Sequence, residues 1–333
     1  MKFDLYKIKL DYAAVGLRKA GNFYSSDKDF IPSTTIRGAF LYPLVQKGKS
    51  DEELEEFHFS PAFPIGSAPS HALSPAGGRK IRCYFEIPNA LEKWRNSSYS
   101  EVLKETKEAL EKIEDEECLQ GGSTEPKSGS NERRVPDLKP KVGDIVKFSK
   151  TSSVHKYVRV NMETLVQTNV GISKSSGSSK TNMLFAYEVK RFNELWVLSK
   201  AGFHTVGNVE QIKVGRNSSR GLGLGKVQFV REVDLETPGE GDVGYCLTPC
   251  LPSFMGKTYI ESEEIRGSTG VYVSWYTWDK GKRGGLKPIL RVLNEGTIIK
   301  VKRTNELDEL WPAGLNMLIK IKDLNDLLNK VKT

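Results

Sequence analysis

"RNSSRGLGLGKV", Arg216 to Val227, places three glycines at alternate positions, Gly221, Gly223 and Gly225, among two arginines, two serines and a lysine. It runs straight into "KVQFVREV", whose alternation of apolar and polar residues predicts a strand. A glycine loop that feeds a strand excludes two nucleotide-binding arrangements. A Walker loop needs G-x-x-x-x-G-K-[ST], but Arg220 stands five residues before Gly225 and Val227 follows Lys226 where a magnesium-binding hydroxyl is required. The dinucleotide pattern G-x-G-x-x-G opens a helix, whereas this spacing is G-x-G-x-G and precedes a strand. What remains is physical. Glycines allow positive φ and close approach of a backbone, and successive N–H groups can form a concave anion nest, to which Arg216, Arg220 and Lys226 add charge. A tight turn packed on a neighbouring sheet, its arginines in solvent, accounts for the same residues.

Outward from the loop, periodicity predicts strands at 143–149, 154–162, 183–191 and 194–199, and a short helix or turn at 203–213. "QTNVGISKSSGSSKTN", 167–182, reads as a long polar loop. At the N-terminus "KFDLYKIKLDY" reads as a half-buried strand, Phe3, Leu5, Ile8 and Leu10 apolar, with a slip near Lys7. "IPSTTIRGAFLYPLVQKG" predicts a helix started by Pro32 and Ser33 or Thr34, with Ile36, Phe40 and Leu44 on one face. A strand is expected in 79–88. An amphipathic helix is expected over 90–117, with Leu103, Leu110 and Ile113 on one side, before a Gly, Ser and Pro-rich flexible segment at about 119–135. Further strands near 243–249, 269–276 and 296–302 and a terminal helix bearing Leu324, Leu327 and Leu328 complete the chain. This order implies an α+β fold of antiparallel sheets of the split βαβ kind, in two units, 1–150 and 151–333; a doubly wound parallel sheet lacks its regular strand and helix alternation.

The 333 residues carry 50 Lys and Arg against 42 Asp and Glu, a net charge of +8, with pI near 9.1 and mean hydropathy −0.43. Acidic residues gather at 51–56 and 101–117, which leaves 133–231 with a basic excess of the kind that counterion release from a phosphate backbone requires. No stretch approaches the roughly 20 apolar residues of a membrane span, and the N-terminus has no signal-peptide block, so a cytoplasmic location without membrane contact is expected. Cys83, Cys118, Cys246 and Cys250 are too few and too scattered for a disulfide framework, in keeping with a reducing compartment.

Catalytic signatures are missing from the sequence. His58, His71, His155 and His204 stand apart from nucleophiles, and Cys246 and Cys250 have no second pair at a zinc spacing, so neither a catalytic residue, a metal nor another cofactor is expected. The acidic runs read as solvated helix faces. In "SWYTWDKGKRGGLKP", 274–288, Trp275 and Trp278 beside cations offer stacking surfaces for single-stranded nucleic acid, although core aromatics at a strand end are the commoner explanation.

"IPSTTIRGAFLYPL" at 31–44, "HKYVRVNMET" at 155–164 with "NMLFAYEV" at 182–189, and "VGRNSSRGLGLGKVQF" at 214–229 resemble, in order, the helix motif, central strands and glycine-rich loop of the RAMP superfamily of CRISPR-associated proteins. "WYTWDKGKRGGLKPILRVLNEGTIIKV", 275–301, resembles the C-terminal pattern of type III subunits that cap the crRNA 5′ end, most like those of type III-D complexes. The resemblance spans most of the chain. It implies two ferredoxin-like (RRM-like) domains and a cytoplasmic antiviral ribonucleoprotein. The partners it implies are crRNA, target RNA by proximity, backbone RAMP subunits and the large polymerase-like subunit. It assigns the 5′ handle to Gly215, Arg216, Ser219, Arg220, Gly221, Gly223, Gly225 and Lys226, and an RNA-proximal place to Arg37. It also sets Asn169, Lys174 and Lys180 in a thumb-like hairpin. The alternative within the superfamily is an RNA-cleaving member, a target slicer or crRNA-processing endoribonuclease, for which Asp27, Asp29 and His155 are the residues to test.

Overall fold

The structure is a computed structural model that describes residues 1–26, 28–74, 83–111, 141–151, 154–172, 175, 179–217, 221–273, 276–279, 282–286 and 289–333. For 17–20, 51, 111, 150–151, 179–183, 276–279 and 282–286 the description is of the backbone alone. The expected flexible segment at 119–135 lies outside the described residues.

The chain opens with β1 (Lys2–Ala13), the short hairpin β2 (Leu17–Ala20) and β3 (Phe23–Ser26), and helix α1 (Ser33–Gln46). After β4 (Phe63–Pro64) come β5 (Ser67–Pro69), β6 (Tyr84–Glu86), α2 (Ala90–Asn96), α3 (Tyr99–Glu111), β7 (Ile145–Thr151) and β8 (His155–Arg159). Next are β9 (Thr164–Ile172), β10 (Ser179–Lys200), α4 (Phe203–Val206), β11 (Gln211–Lys213) and β12 (Leu224–Asp234). The last part holds β13 (Val243–Cys246), β14 (Ile260–Arg266), β15 (Thr269–Tyr272), β16 (Leu290–Leu293), β17 (Ile298–Thr304), a 3-10 helix (Leu307–Ala313), β18 (Leu318–Lys320) and α5 (Leu324–Lys330). The result is a mixed α+β chain whose sheets are almost wholly antiparallel.

In the first sheet β1 lies between β10 and β12, antiparallel to both. β4 and β9 add to the far edge of β10, because Leu195 pairs with both Ile8 and Pro64 and Lys190 with both Ala13 and Thr164. A second sheet, in the order β5, β7, β8, β6, is built from the residues between β4 and β9. A third runs β14, β17, β13, β18. The strands of the first sheet come from both sides of residue 150, so the boundary expected there separates strands that the structure hydrogen-bonds together.

β1 explains its own odd pattern. Phe3 and Leu5 join Trp196, Leu198, Tyr84, Tyr245 and Ile319 in a core where the three sheets meet. Tyr6, Ile8 and Leu10, on the other face, join Ile36, Phe40 and Leu44 of α1. No slip occurs at Lys7: strand side chains alternate in period two, and burial passes from one face to the other along β1. The irregularity lies in β12, where one extra residue bulges opposite Leu5 and Tyr6.

Four other expectations change. The breaks between 183–191 and 194–199 vanish, since β10 runs on through Asn193 at φ 58°. The polar stretch 167–182 is largely a β9–β10 hairpin rather than a loop, because alternating threonine, valine and asparagine suit a two-stranded ribbon. As far as residue 111 the helix expected over 90–117 is two helices, parted at the extended Ser97, and α3 buries Val102 and Thr106 rather than Leu103; Ile113 lies outside the described residues. Cys246 and Cys250 form a disulfide, because the turn after β13 returns the chain and brings their Cα atoms to 6.1 Å. Among the described residues no helix is long and apolar enough to cross a membrane.

Candidate functional site

The glycine loop is fastened to the end of β1. Gly223 donates its N–H to the Tyr12 carbonyl at 2.8 Å, Arg216 donates to the Ala14 carbonyl at 3.0 Å, and Val214 donates to Gly223 O at 2.8 Å. Two glycines are obligatory here. Gly215 and Gly223 have φ of 77° and 71°, and a Cβ on them would overlap the carbonyl oxygens of Ala14 and Val214. Gly225 serves close approach instead: a Cβ there would sit 3.2 Å from Ile8 and 3.3 Å from Ile212. Several amides of the loop are therefore spent on its own architecture, which leaves phosphate contact to side chains rather than to a backbone nest.

The fastening builds an aromatic and cationic cluster. Tyr12, Tyr24 and Phe185, all half-buried, and Leu222 of the loop pack around Ala14, Tyr187 and Val189. The Arg216 guanidinium lies over the Tyr24 ring, 5.1 Å from its centroid, and Arg191 lies 5.7 Å from that of Tyr12. Phe185 and Tyr187 stack at 6.4 Å. The Tyr187 hydroxyl donates to Gln167 Oε1 at 2.9 Å and the Tyr12 hydroxyl to Glu163 Oε1 at 3.1 Å, so these two rings are held by β9 and the residue just before it. Flat rings with a guanidinium alongside form a surface on which a planar base can stack while its phosphate meets the cation.

The structure brings Arg216, Gly215, Gly221, Gly223, Gly225 and Lys226 together in one loop and the strand it feeds, Lys226 as the exposed third residue of β12. Ser219 and Arg220 lie outside the described residues, as do Lys174, Trp275 and Asp27. Lys180 lies in β10 and Trp278 in a 276–279 hairpin strand, with backbone alone described. Asn169 sits in the hairpin opposite Phe185. Arg37 stands apart, on α1. Its guanidinium donates to the carbonyls of Phe57 (2.7 Å), Glu55 (3.1 Å) and Leu54 (3.4 Å), and burial lowers its pKa against the opposing pull of Glu55.

Neither described candidate for cleavage joins this cluster as a loose side chain. Asp29 is held by the Lys190 ammonium at 2.7 Å. His155 faces Asp323 at 3.6 Å, and the neighbouring carboxylate raises its pKa against the effect of burial. Asp323 in turn caps α5 by accepting from the Asp326 amide at 2.7 Å. Next to this pair, His71 Nδ1 accepts from the Leu73 amide, so Nε2 carries the hydrogen and donates to fully buried Glu86 at 2.6 Å. Among the described residues no group of three His, Cys, Asp or Glu could hold a metal ion.

Sequence inspection looked for stacking rings at 275–278 and passed over Tyr12, Tyr24, Phe185 and Tyr187. A signal was there: Phe185 and Tyr187 alternate on a predicted strand, hence share a face. That they meet Tyr12 and Tyr24 depends on pairings across some 160 residues.

No family model matches the chain, and no curated protein resembles it in sequence. Among solved structures it is similar to a chain of "Cryo-EM structure of the Type III-B Cmr-beta bound to cognate target RNA and AMPPnP, state 1", at 13% identity over 89% of this chain and 86% of that one, with a TM-score of 0.46. A chain of "Cryo-EM structure of the Type III-B Cmr-beta bound to cognate target RNA" gives 14% identity, the same coverage and a TM-score of 0.45. A chain of "Type III-B Cmr-beta Cryo-EM structure of the Apo state" gives 11% identity over 69% of this chain and 98% of that one, with a TM-score of 0.33.

Proposed function

We propose that this chain is an RNA-binding subunit of a type III CRISPR ribonucleoprotein that holds the 5′ handle of the crRNA and contacts the large polymerase-like subunit. The observation that carries the reading is the glycine loop bolted to the end of β1, which sets Arg216 over Tyr24 within the cluster of Tyr12, Phe185 and Tyr187. The cations neutralise handle phosphates, and the half-buried rings of Tyr12, Tyr24 and Phe185, backed by buried Tyr187, stack on splayed bases, as in the recognition of single-stranded RNA. The β9–β10 hairpin that rises from the cluster is suited to the thumb role. Two ferredoxin-like units fit the strand orders: the strands of the third sheet, numbered in chain order, lie 2-3-1-4, and β12, β1, β10 and β4 lie 4-1-3-2.

The test is crosslinking of the reconstituted complex to a guide RNA carrying photoreactive bases in its 5′ repeat-derived part. Crosslinks to Tyr12, Tyr24 or residues 215–226, reduced by Arg216→Ala, are expected; a handle that crosslinks elsewhere on the chain or not at all overturns the reading. Asp27→Ala, Asp29→Ala and His155→Ala in the same complex address the cleaving alternative: loss of RNA cutting in any of them would replace the non-catalytic role.

A further inference from the structure

Along the face of β1 that carries Phe3 and Leu5, the covering sheets end after Leu5, and the next residues on that face are Lys7 and Lys9. Register extends this face across four strands. Lys9 pairs with Glu194 on β10 and with Lys226 on β12, and Lys226 pairs with Gln211 on β11. One row of side chains thus reads Gln211, Lys226, Lys9, Glu194. Beside it Lys7 pairs with Gln228, and on β11 Lys213 stands two residues from Gln211. α1 packs on the opposite face, so this one is open, with a concavity of about 410 Å³ bordered by Lys9, Glu194, Gln211, Leu224 and Lys226, and by Asp11, the carboxylate that follows Lys9 on this face.

The charges in the row are unbalanced. Glu194 serves two cations, Lys7 at 2.9 Å and Lys9 at 3.4 Å. Lys226 and Lys213 have no ion pair, and Gln211 and Gln228 no side-chain hydrogen bond, among the described residues. Like charges directly opposite on neighbouring strands repel, and an anion lying between them removes the penalty. Amides beside the lysines add donors that reach phosphate oxygens without competing charge.

We infer that this open sheet face is a phosphate-binding track for a single nucleic-acid strand, gripped by Lys226 and Lys9 with Lys213 and Lys7 as flanking cations. Glu194 acts on it as a limiter, because it occupies the ammonium groups of Lys7 and Lys9 and must release them for phosphate. The track goes beyond the loop reading: it shares Lys226 with the loop, but Lys9, Lys7 and Lys213 belong to it alone, and Arg216 and its rings do not enter it.

Binding of the full chain to a fluorescent 12-nucleotide single-stranded RNA, followed by anisotropy over a salt series, tests it. Each phosphate contact contributes about 0.7 to the slope of log K against log salt. Lys9→Gln with Lys226→Gln should therefore flatten the slope by about 1.4, while Lys9→Arg with Lys226→Arg keeps it. Glu194→Gln should tighten binding at low salt. An unchanged slope in the double glutamine variant, or weaker binding by Glu194→Gln, overturns the track. Displacement by inorganic phosphate with equal affinity for 4- and 12-nucleotide strands would identify a free-phosphate site and also overturn the strand assignment. Arg216→Ala separates the two readings: its own loss of about 0.7 in slope persists whether or not the lysine row contributes.

Discussion

Lys9 and Lys226 stand directly opposite each other on adjacent antiparallel strands, with no carboxylate between them and Glu194 on the far side of Lys9. A sheet that places like charges in one cross-strand pair gives up stability there. Lys226→Gln should accordingly raise the stability of the unliganded protein by about 0.5 kcal/mol at low salt. The gain should fade as salt screens the pair. Urea unfolding at two ionic strengths checks both; a loss of stability at low salt would mean that Lys226 makes a favourable contact of its own.

Gly223 and Gly221 separate close packing from backbone conformation. Both have positive φ, 71° and 89°, but a Cβ on Gly223 overlaps the Val214 carbonyl whereas nothing lies within 4 Å of one on Gly221. Gly221→Ala should cost about 1 kcal/mol, the left-handed conformation alone. Gly223→Ala should cost about 3 kcal/mol, since the loop must also lift from β1. Denaturant midpoints of the two variants should keep that order.

Burial holds His58 neutral, its pKa lowered to about 4 from an ordinary 6.5 despite a hydrogen bond with the Glu56 carbonyl. Its ring lies against Trp311, with centroids 4.5 Å apart. Between pH 6.5 and 4 the unfolded chain takes up a proton that the native chain refuses, so stability falls as pH falls, by on the order of 3 kcal/mol in all. His58→Phe should flatten this limb of a stability–pH curve. His155, raised by Asp323, has the opposite sign: its contribution is complete below 6.5 and is lost as pH rises through its folded value. Burial raises the Asp323 carboxyl, but neighbouring His155 and the hydrogen bonds from the amides of Asn89 and Asp326 outweigh it and hold the pKa low. Its contribution is present above its ordinary 3.8 and is lost as pH falls through its folded value. His155→Gln should therefore remove a loss on the alkaline side and leave the His58 limb in place.

Arg37 knits α1 to the turn at 54–57 through three carbonyls. Arg37→Ala should destabilise the protein by about 1 kcal/mol, the cost of losing hydrogen bonds to two half-buried carbonyls and one exposed one. RNA affinity per folded molecule should be unchanged. A loss of affinity at unchanged stability would instead place this guanidinium at the RNA.

Local pattern made much of the scaffold legible. α1 follows from Ile36, Phe40 and Leu44 at helical spacing after Pro32, and α5 from its leucines, while its Asp323 cap emerges only in the structure. The alternation in 224–234 gave β12, and the glycine spacing set aside nucleotide loops before any coordinates. The stretch 167–182 reads as a loop although most of its described residues belong to β9 and β10, because a solvated two-stranded ribbon needs no apolar face, and hydrophobic periodicity is then silent. The candidate site was half legible: its glycines and Arg216 advertise themselves, whereas its rings do not.

By itself the sequence determined the local elements, the basic excess around the loop and the positions where only glycine fits, because propensity and sterics act over a few residues. The tertiary structure decided what each face of β1 meets: a shared core at Phe3 and Leu5, α1 at Ile8, open solvent at Lys9. It also decided which distant rings gather under Arg216. A period of two says that faces alternate but not what covers them, and pairing between β1, β10 and β12 is set by contacts about 180 to 230 residues apart.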